Sequence, residues 1–411
     1  MEEATLDEKW LAVLGGGKEQ EPIYKVATSM GLKTIGFDLN PKAPAAGSAN
    51  VFVPVSSADS AGIIEALETQ GIELSGVITL GSDVSVSVAR VQSRFGLPGN
   101  PVSVAERFTD KVQMKQALVD QGVPTPRHLV FKTGVEAAVI RETFHGLVIV
   151  KPVDGRGARG VQLVDLRKPH ELEDAILVSQ EASSRGEVIV EEYVPGPQYS
   201  TEGIFVGGSY HNAVTSQRNY SRIGEFGLHV IEDGGQIPET DDPVLGAEVT
   251  EIVERASKAL GAVTGTVKGD LVRGPDGALQ VIELACRLSG GWLASDQIPA
   301  ARGISFMELA IKSALDFPLV VNEVVPAFSS AVAVRYLFPQ SGKITKISGL
   351  NKVQSLAGLV RVGMFRNAGD QQPQVRSHSD RLGFVIFVGD TVEEAVARAE
   401  SALGLIEIDI A

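Results

Sequence analysis

The stretch "IVKPVDGRGARGVQLV" (residues 149–164) sets Gly155, Gly157 and Gly160 in the spacing G-x-G-x-x-G. That spacing also marks dinucleotide-binding turns, where the glycines open a helix and a pyrophosphate sits on its N-terminus. Here Gly160 is followed by "VQLVDL", alternating and β-branched, with Pro169 close behind. Such a run predicts a strand, so the loop joins two strands and the dinucleotide reading fails on context. A protein-kinase loop fails too. The kinase lysine lies downstream of its loop, whereas Lys151 lies upstream, and neither H-R-D nor D-F-G occurs in the chain. Two readings remain: a plain Gly/Arg surface hairpin, or a mobile lid over a triphosphate. In the second, glycine amides approach the phosphate oxygens closely, Arg156 and Arg159 add charge, and Lys151 points at the phosphates from the entering strand.

Composition narrows the partners. The 411 residues exceed one ordinary core and predict about two to four domains or lobes. Hydrophobic residues make up 44%, with no low-complexity tract, so the whole chain is expected to fold. Lys and Arg number 37 against 51 Asp and Glu, a net charge of −14 that argues against a DNA or RNA partner but not against a nucleotide. The single Cys286 excludes an intrachain disulfide framework and a thiolate metal cluster. The start, "MEEATLDEKW", is acidic where a signal peptide is basic, and no apolar run approaches a membrane span. The expectation is a soluble cytoplasmic protein without a membrane partner.

Outward from the loop, the N-terminal third alternates between apolar strands and helices. The runs "WLAVLGGG" (10–17), "KTIGFD" (33–38) and "LSGVITLGSD" (74–83) are strands, and they predict a small parallel sheet covered on both faces. A connection with a helical middle, "PGNPVSVAERFTDKVQMKQALVDQGVPTPR" (98–127), leads to strand, helix, strand, glycine loop, strand and helix. "GEVIVEEYV" then forms an edge leading into a hinge. Residues 198–290 are strand-rich with one helix at about 243–260, "GISFMELAIKSALD" is an amphipathic helix, and the tail ends in the helix "TVEEAVARAESALG".

"GDLVRGPDGALQVIELACR" (269–287) reads as two strands about an Asp276-Gly277 turn. Counting outward from that turn, with Pro275 paired to Ala278, sets Asp270 opposite Glu283. Carboxylates facing across strands repel unless a cation lies between them, and hard oxygens that leave room for phosphates suit Mg²⁺.

The ordered set "DKVQMKQALVDQGVPTP" (110–126), "VIVKPVDGRGARGV" (148–161), "VIVEEYVPGPQYSTEG" (188–203) and "GDLVRGPDGALQVIELACRLSGG" (269–291) resembles the ATP-grasp superfamily. The resemblance covers about residues 100–315. It implies an α/β and α+β multidomain chain: a Rossmann-like α/β domain (1–100), a connecting helix (101–127), a small ATP-grasp lobe with the lid (128–195), a large lobe with the catalytic site (196–320) and a small C-terminal α/β module (321–411). It also implies ATP with Mg²⁺ or Mn²⁺, an acyl-phosphate made from a carboxylate and attacked by an amine, and release of ADP and phosphate. A homodimer is a family-level expectation.

Carried over residue by residue, the resemblance implies that Lys111 and Lys151 contact ATP phosphates, with Gly155, Arg156, Gly157, Arg159 and Gly160 closing over them. Glu191, Glu192 and Val194 lie along the adenine edge, where backbone groups read the base. The ribose glutamate of the family is replaced by Gln198, with Glu202 a second candidate. Asp270 and Glu283 are the metal carboxylates, and Ala285 stands where the family often keeps an Asn ligand. Arg287 matches the arginine that stabilises the developing oxyanion. "RLSGGW" (287–292) looks most like the L-amino acid ligase branch, with Ser289, Gly290 and Gly291 near the reacting centre and Trp292 as a pocket wall. "SQRNYSRIGEFGLHV" (216–230) would line the acceptor pocket, with Arg218, Arg222 and His229 as carboxylate binders or as solvated loop charges. The N-terminal "GGGKE" with Asp38 favours substrate binding over NAD, because Gln20 stands at the third fingerprint position. Purine-pathway ligation, bicarbonate activation and a catalytically degenerate nucleotide-binding protein stay open as alternatives, the last because of Ala285 and Gln198.

Overall fold

A computed structural model describes residues 9–132, 134, 136–168, 170–238 and 242–411; the acidic stretch 1–8 and Pro169 lie outside them. The N-terminal apolar runs form the strands Trp10–Leu14, Lys33–Phe37, Val51–Val53 and Leu74–Ile78. They pair in parallel, with the first strand between the second and the fourth. The helices Glu21–Ser29 and Ser60–Gln70 provide crossovers, and Ser85–Phe95 follows the last strand. The glycine turn of this domain is filled from within. The Gln20 side chain packs over Gly15 and donates to the Leu80 carbonyl at 2.5 Å, and Asp38 accepts from the Gly16 amide at 3.0 Å.

The connection is two helices rather than one. Asp110 closes Val102–Thr109 with extended backbone and then caps Lys111–Asp120, accepting from the amides of Val112 and Gln113. A short acid satisfies the free amides of a helix start, so the chain breaks here. The break puts Lys111 on the first turn, facing the glycine loop.

The small lobe is an antiparallel sheet of His128–Phe131, Val188–Glu192, Leu147–Pro152 and Gln162–Asp165, in that spatial order. The glycine loop joins the last two strands, whose register runs from Leu147 opposite Asp165 to Val150 opposite Gln162. "VIVEE" is an interior strand rather than the expected edge, because its run of Val188, Ile189 and Val190 is fully buried.

The large lobe and the tail share one antiparallel sheet of eight strands. It runs from Leu279–Ala285 through Thr266–Arg273, Gln198–Val206, Ser209–Asn219 and Gly234–Ile237 to Ala331–Leu337, Gly383–Gly389 and Leu359–Met364. The tail is therefore no detached module: Gly234–Ile237 hydrogen-bonds directly to Ala331–Leu337. The helix Val392–Gly404 covers its end, capped by Thr391.

Trp292 locks this joint. It holds a left-handed φ of 57° and turns into the core, where its ring stacks on Phe384 at 3.7 Å between centroids and meets Phe365 at 5.7 Å. Its expected place as a pocket wall is corrected: only 4% of it is exposed, and the backbone conformation aims the ring at the tail. Trp292→Ala should destabilise the protein by about 3–5 kcal/mol, the usual cost of emptying a buried aromatic site. Chemical denaturation checks this, with retained nucleotide binding in the folded variant as the companion result.

Candidate active site

Two adjoining cavities lie between the lobes. The first, of about 260 Å³, is roofed by Gly155, Arg156, Gly157 and Ala158 of the glycine loop and floored by Val272 and Ile282. The second, of about 340 Å³, lies deeper, between the N-terminal domain, the large lobe and the tail. They share Asp83, Gly157, Arg218, Lys268, Arg287 and His378.

The loop is seated in a closed position. The Leu163 amide donates to the Leu228 carbonyl at 2.8 Å, and the Val230 amide to the Val161 carbonyl at 3.3 Å. From the tail, the His378 amide donates to the Gly157 carbonyl at 3.0 Å. Gly157 has φ +59°, which favours glycine, and Gly160 has φ +73° with Ala182 2.6 Å from where its Cβ would stand, so Gly160 requires it. Two expected lid ligands fall outside the cavity lining. Arg159 is exposed to solvent, and Gly160 roots the loop by accepting from Ser179 Oγ at 2.7 Å.

Behind the first cavity sits a buried charge cluster. Glu191, 3% exposed, accepts from Lys151 Nζ at 2.7 Å on one oxygen and lies 3.2 Å from Lys115 Nζ on the other. Burial works to raise the Glu191 carboxyl, but the two lysines outweigh it and hold the group at about 2. Burial pulls the Lys115 ammonium down to about 8 against the attraction of Glu191. Lys115 also donates to Thr125 Oγ1 at 2.6 Å and to the Val281 carbonyl at 3.3 Å. It thus joins the hinge strand to the strand that carries Glu283. Sequence reasoning passed over Lys115, although it stands four residues after Lys111 on one helix face.

The opposed carboxylates are found where the count set them, by a different route. The hairpin turn is one residue wider than expected, pairing Arg273 with Leu279, and a bulge beyond Leu271 then restores Asp270 opposite Glu283. Asp270 accepts from Ser200 Oγ at 2.9 Å, pairs with Arg218 at 3.0 Å and is bonded by Lys268. Burial works to raise its pKa, but Arg218 and Lys268 hold it well below the usual carboxylate range. Glu283 lies 3.4 Å from Lys111 Nζ, which also donates to the Gly155 carbonyl at 3.0 Å. Among the described residues no group of three or more His, Cys, Asp or Glu gathers here. Asp270 and Glu283 both line the first cavity, and hard carboxylate oxygens placed there fit a cation that takes its other ligands from water and phosphate.

Along the hinge, Glu192, Tyr193, Val194 and Gln198 line the first cavity, and Glu192 spends its carboxylate on Arg127 Nε at 2.7 Å. Glu202 is not a ribose partner. It is fully buried under the second cavity and accepts from the Ser289 amide at 3.1 Å.

Arg287 stands at the junction, its Nε 2.9 Å and its Nη2 2.6 Å from Asp83 Oδ1. Asp83 ends the apolar stretch of the N-terminal sheet, at the carboxyl ends of parallel strands where α/β folds place ligands. Ser289, Gly290 and Gly291 line the second cavity with Glu19, whose Oε2 accepts from the Gly291 amide at 3.3 Å. Arg218 lies in both cavities and pairs with Glu232 as well as Asp270. Trp292 lies behind Phe365, which lines the cavity in its place. His229 lines neither cavity; its backbone bridges to Gln162 and pins the lid. Arg222 is spent on Glu225 at 2.8 Å and on the Phe226 ring. The tail residues Tyr336, His378 and Arg381 complete the wall; no motif in the sequence announced them.

A cleft with a glycine lid, paired lysines, opposed carboxylates and a junction arginine defines a nucleotide-dependent ligase site. An ATP-grasp domain profile matches residues 108–291, and an L-amino acid ligase C-terminal domain 2 profile matches residues 335–411. The chain thus carries an ATP-grasp domain and an L-amino acid ligase C-terminal domain. It is 24% identical to an L-arginine-specific L-amino acid ligase of Bacillus subtilis over 306 residues, 72% of this chain and 71% of that protein. The solved L-amino acid ligase from Bacillus licheniformis superposes with a TM-score of 0.82 at 24% identity, over 98% of this chain and 99% of that one. Phosphoribosylglycinamide synthetase from Anaerococcus prevotii gives 0.75 at 22%, over 98% and 100%. At these identities the solved structures share the fold. Among the described residues no helix is long and apolar enough to cross a membrane.

Two outcomes follow for the buried charges. Lys115→Met should cost about 3–5 kcal/mol, since it strips a partner from a buried ion pair, and chemical denaturation reads the loss. Burial raises the Glu202 carboxyl to about 7. A raised acid contributes stability that is full below its unfolded pKa of about 4.5 and lost as pH climbs through 7. The melting temperature should therefore carry a decline between pH 5 and 8 that Glu202→Gln flattens.

Proposed function

We propose that this chain couples a carboxylate to an amine, both from amino acids or small acids, through an acyl-phosphate, with release of ADP and phosphate. The observation that carries the reading is the shared wall of the two cavities: Arg287, Lys268 and Arg218 stand between a lid-covered nucleotide space and a separate inner pocket.

In this reading Lys111, Lys151 and the amides of the glycine loop hold the ATP phosphates, and the hinge from Glu192 to Gln198 holds the nucleoside. Asp270 and Glu283 would hold Mg²⁺, which when bound neutralises phosphate charge. A carboxylate oxygen attacks the γ-phosphorus, the bond to the departing ADP oxygen breaks, and an acyl-phosphate forms. The amine nitrogen then attacks the acyl carbon, the carbon–oxygen bond to phosphate breaks, and the amine proton leaves with the phosphate. Arg287, fixed by Asp83, faces the acyl oxygen as charge builds on it, a preorganised donor that needs no rearrangement during reaction. Glu19 is the carboxylate of the inner cavity that has no ion-pair partner among the described residues, and burial raises its pKa. It suits the ammonium group of the activated amino acid. The supply of ATP favours a cytoplasmic setting.

ADP and phosphate release across a grid of amino-acid pairs tests the reading, with bicarbonate and ribonucleotide acids as competing substrates. Release of AMP and pyrophosphate would sink it. Arg287→Ala should lower kcat by about a hundred- to a thousandfold with ATP affinity kept. Unchanged turnover would instead favour a nucleotide-binding protein without catalysis.

A further inference from the structure

The inner cavity contains a cation that the reaction above leaves unused. Arg381, from the tail, is 8% exposed and stands over the Tyr336 ring, its guanidinium carbon 3.6 Å from the centroid. Its Nη2 donates to the Glu232 carbonyl at 2.6 Å, while its Nε is buried without a hydrogen-bond partner. The only carboxylate paired with it among the described residues, that of Glu232, stands 3.8 Å away and is already bonded to Arg218. The loop beneath is rigidly built: Asp380 accepts from the amides of Arg376 and Ser377 at 2.9 and 2.8 Å, and Arg366 donates to the Arg381 carbonyl at 2.9 Å. A guanidinium held over an aromatic ring, desolvated and short of acceptors is built to receive a planar anion.

We propose that Arg381, backed by Tyr336 and His378, is the subsite for the free carboxylate of the acceptor amino acid. The assignment rests on the ligase reading for which substrate arrives there. Arg287 and Glu19 then take the activated amino acid, and Arg381 takes the far end of the acceptor. The acceptor class is an α-amino acid with an unblocked carboxylate, in preference to an amine or a carboxamide. Backbone contact between His378 and Gly157 sets this subsite directly under the closed lid.

The test uses the full chain with Mg²⁺ and a non-hydrolysable ATP analogue. With L-alanine held saturating as the carboxylate donor, L-arginine and L-phenylalanine are titrated as acceptors against their carboxamides, and steady-state ADP release is followed with ATP. The wild type should favour at least one acid over its amide by about 10- to 100-fold, the range for a lost charge-assisted hydrogen bond. In Arg381→Met that ratio should collapse toward one through KM, with kcat and nucleotide affinity nearly unchanged. Arg381→Lys, which keeps the charge without the planar fork, should retain part of the preference and serves if the methionine variant does not fold. Equal ratios in wild type and variant, or no acid bound better than its amide, would overturn the assignment. If no pair releases ADP while the binding preference depends on Arg381, the ligase reading fails and the carboxylate subsite stands.

Discussion

Everything at the cleft depends on Glu191 sitting buried between Lys115 and Lys151. A lone carboxylate at 3% exposure is expensive, and so is a fully buried ammonium; together they are tolerable because each Glu191 oxygen faces a lysine and Lys115 donates to two further oxygens. The cluster has a mechanical result as well. Its members belong to the connecting helix, the lid strand and the hinge strand, and Lys115 reaches the metal-side hairpin through Val281. One set of charges thereby fixes the separation of the two lobes and the aim of Lys151. Glu191, which the sequence offered as a residue along the base, acts mainly on its own lysines.

On the proposed reading the chain divides labour between what holds the nucleotide and what holds the reactants. Nucleotide-side residues sit on strand ends and tight loops with little freedom, as the glycine positions require. The second cavity is assembled from four parts: Glu19 and Asp83 from the N-terminal domain, Arg218, Glu232 and Lys268 from the large lobe, the small residues after Arg287, and a wall from the tail. Separate segments facing one cavity give it both signs of charge without an acidic or basic cluster in the sequence.

The glycine lid, the opposed carboxylates and the hinge were legible because each is local: spacing and strand alternation are enough. The hairpin shows the limit. Its wider turn and its bulge each shift the pairing by one, and they cancel, so Asp270 faces Glu283 for a reason the dipeptide at the turn does not contain. Trp292 misled because a large aromatic beside small residues suggests a pocket wall, whereas its left-handed backbone sends it into the core with Phe384. Arg159 was expected over the phosphates on charge alone, and it faces water. Arg381 and His378 were invisible because they lie about ninety residues or more beyond Arg287 and reach the site only through sheet pairing, which no local pattern encodes.

The seam between Gly234–Ile237 and Ala331–Leu337 is made of backbone hydrogen bonds, which are indifferent to side chains. Beyond that seam the tail turns Tyr336, Phe365, His378 and Arg381 toward the second cavity, and among the described residues His378 is its one contribution to the first. Phe384 and Phe365 are tied to Trp292, but the other tail residues facing the second cavity stand apart from the lining of the first. On the proposed reading, selectivity and phosphate chemistry can therefore evolve at different rates within one continuous sheet.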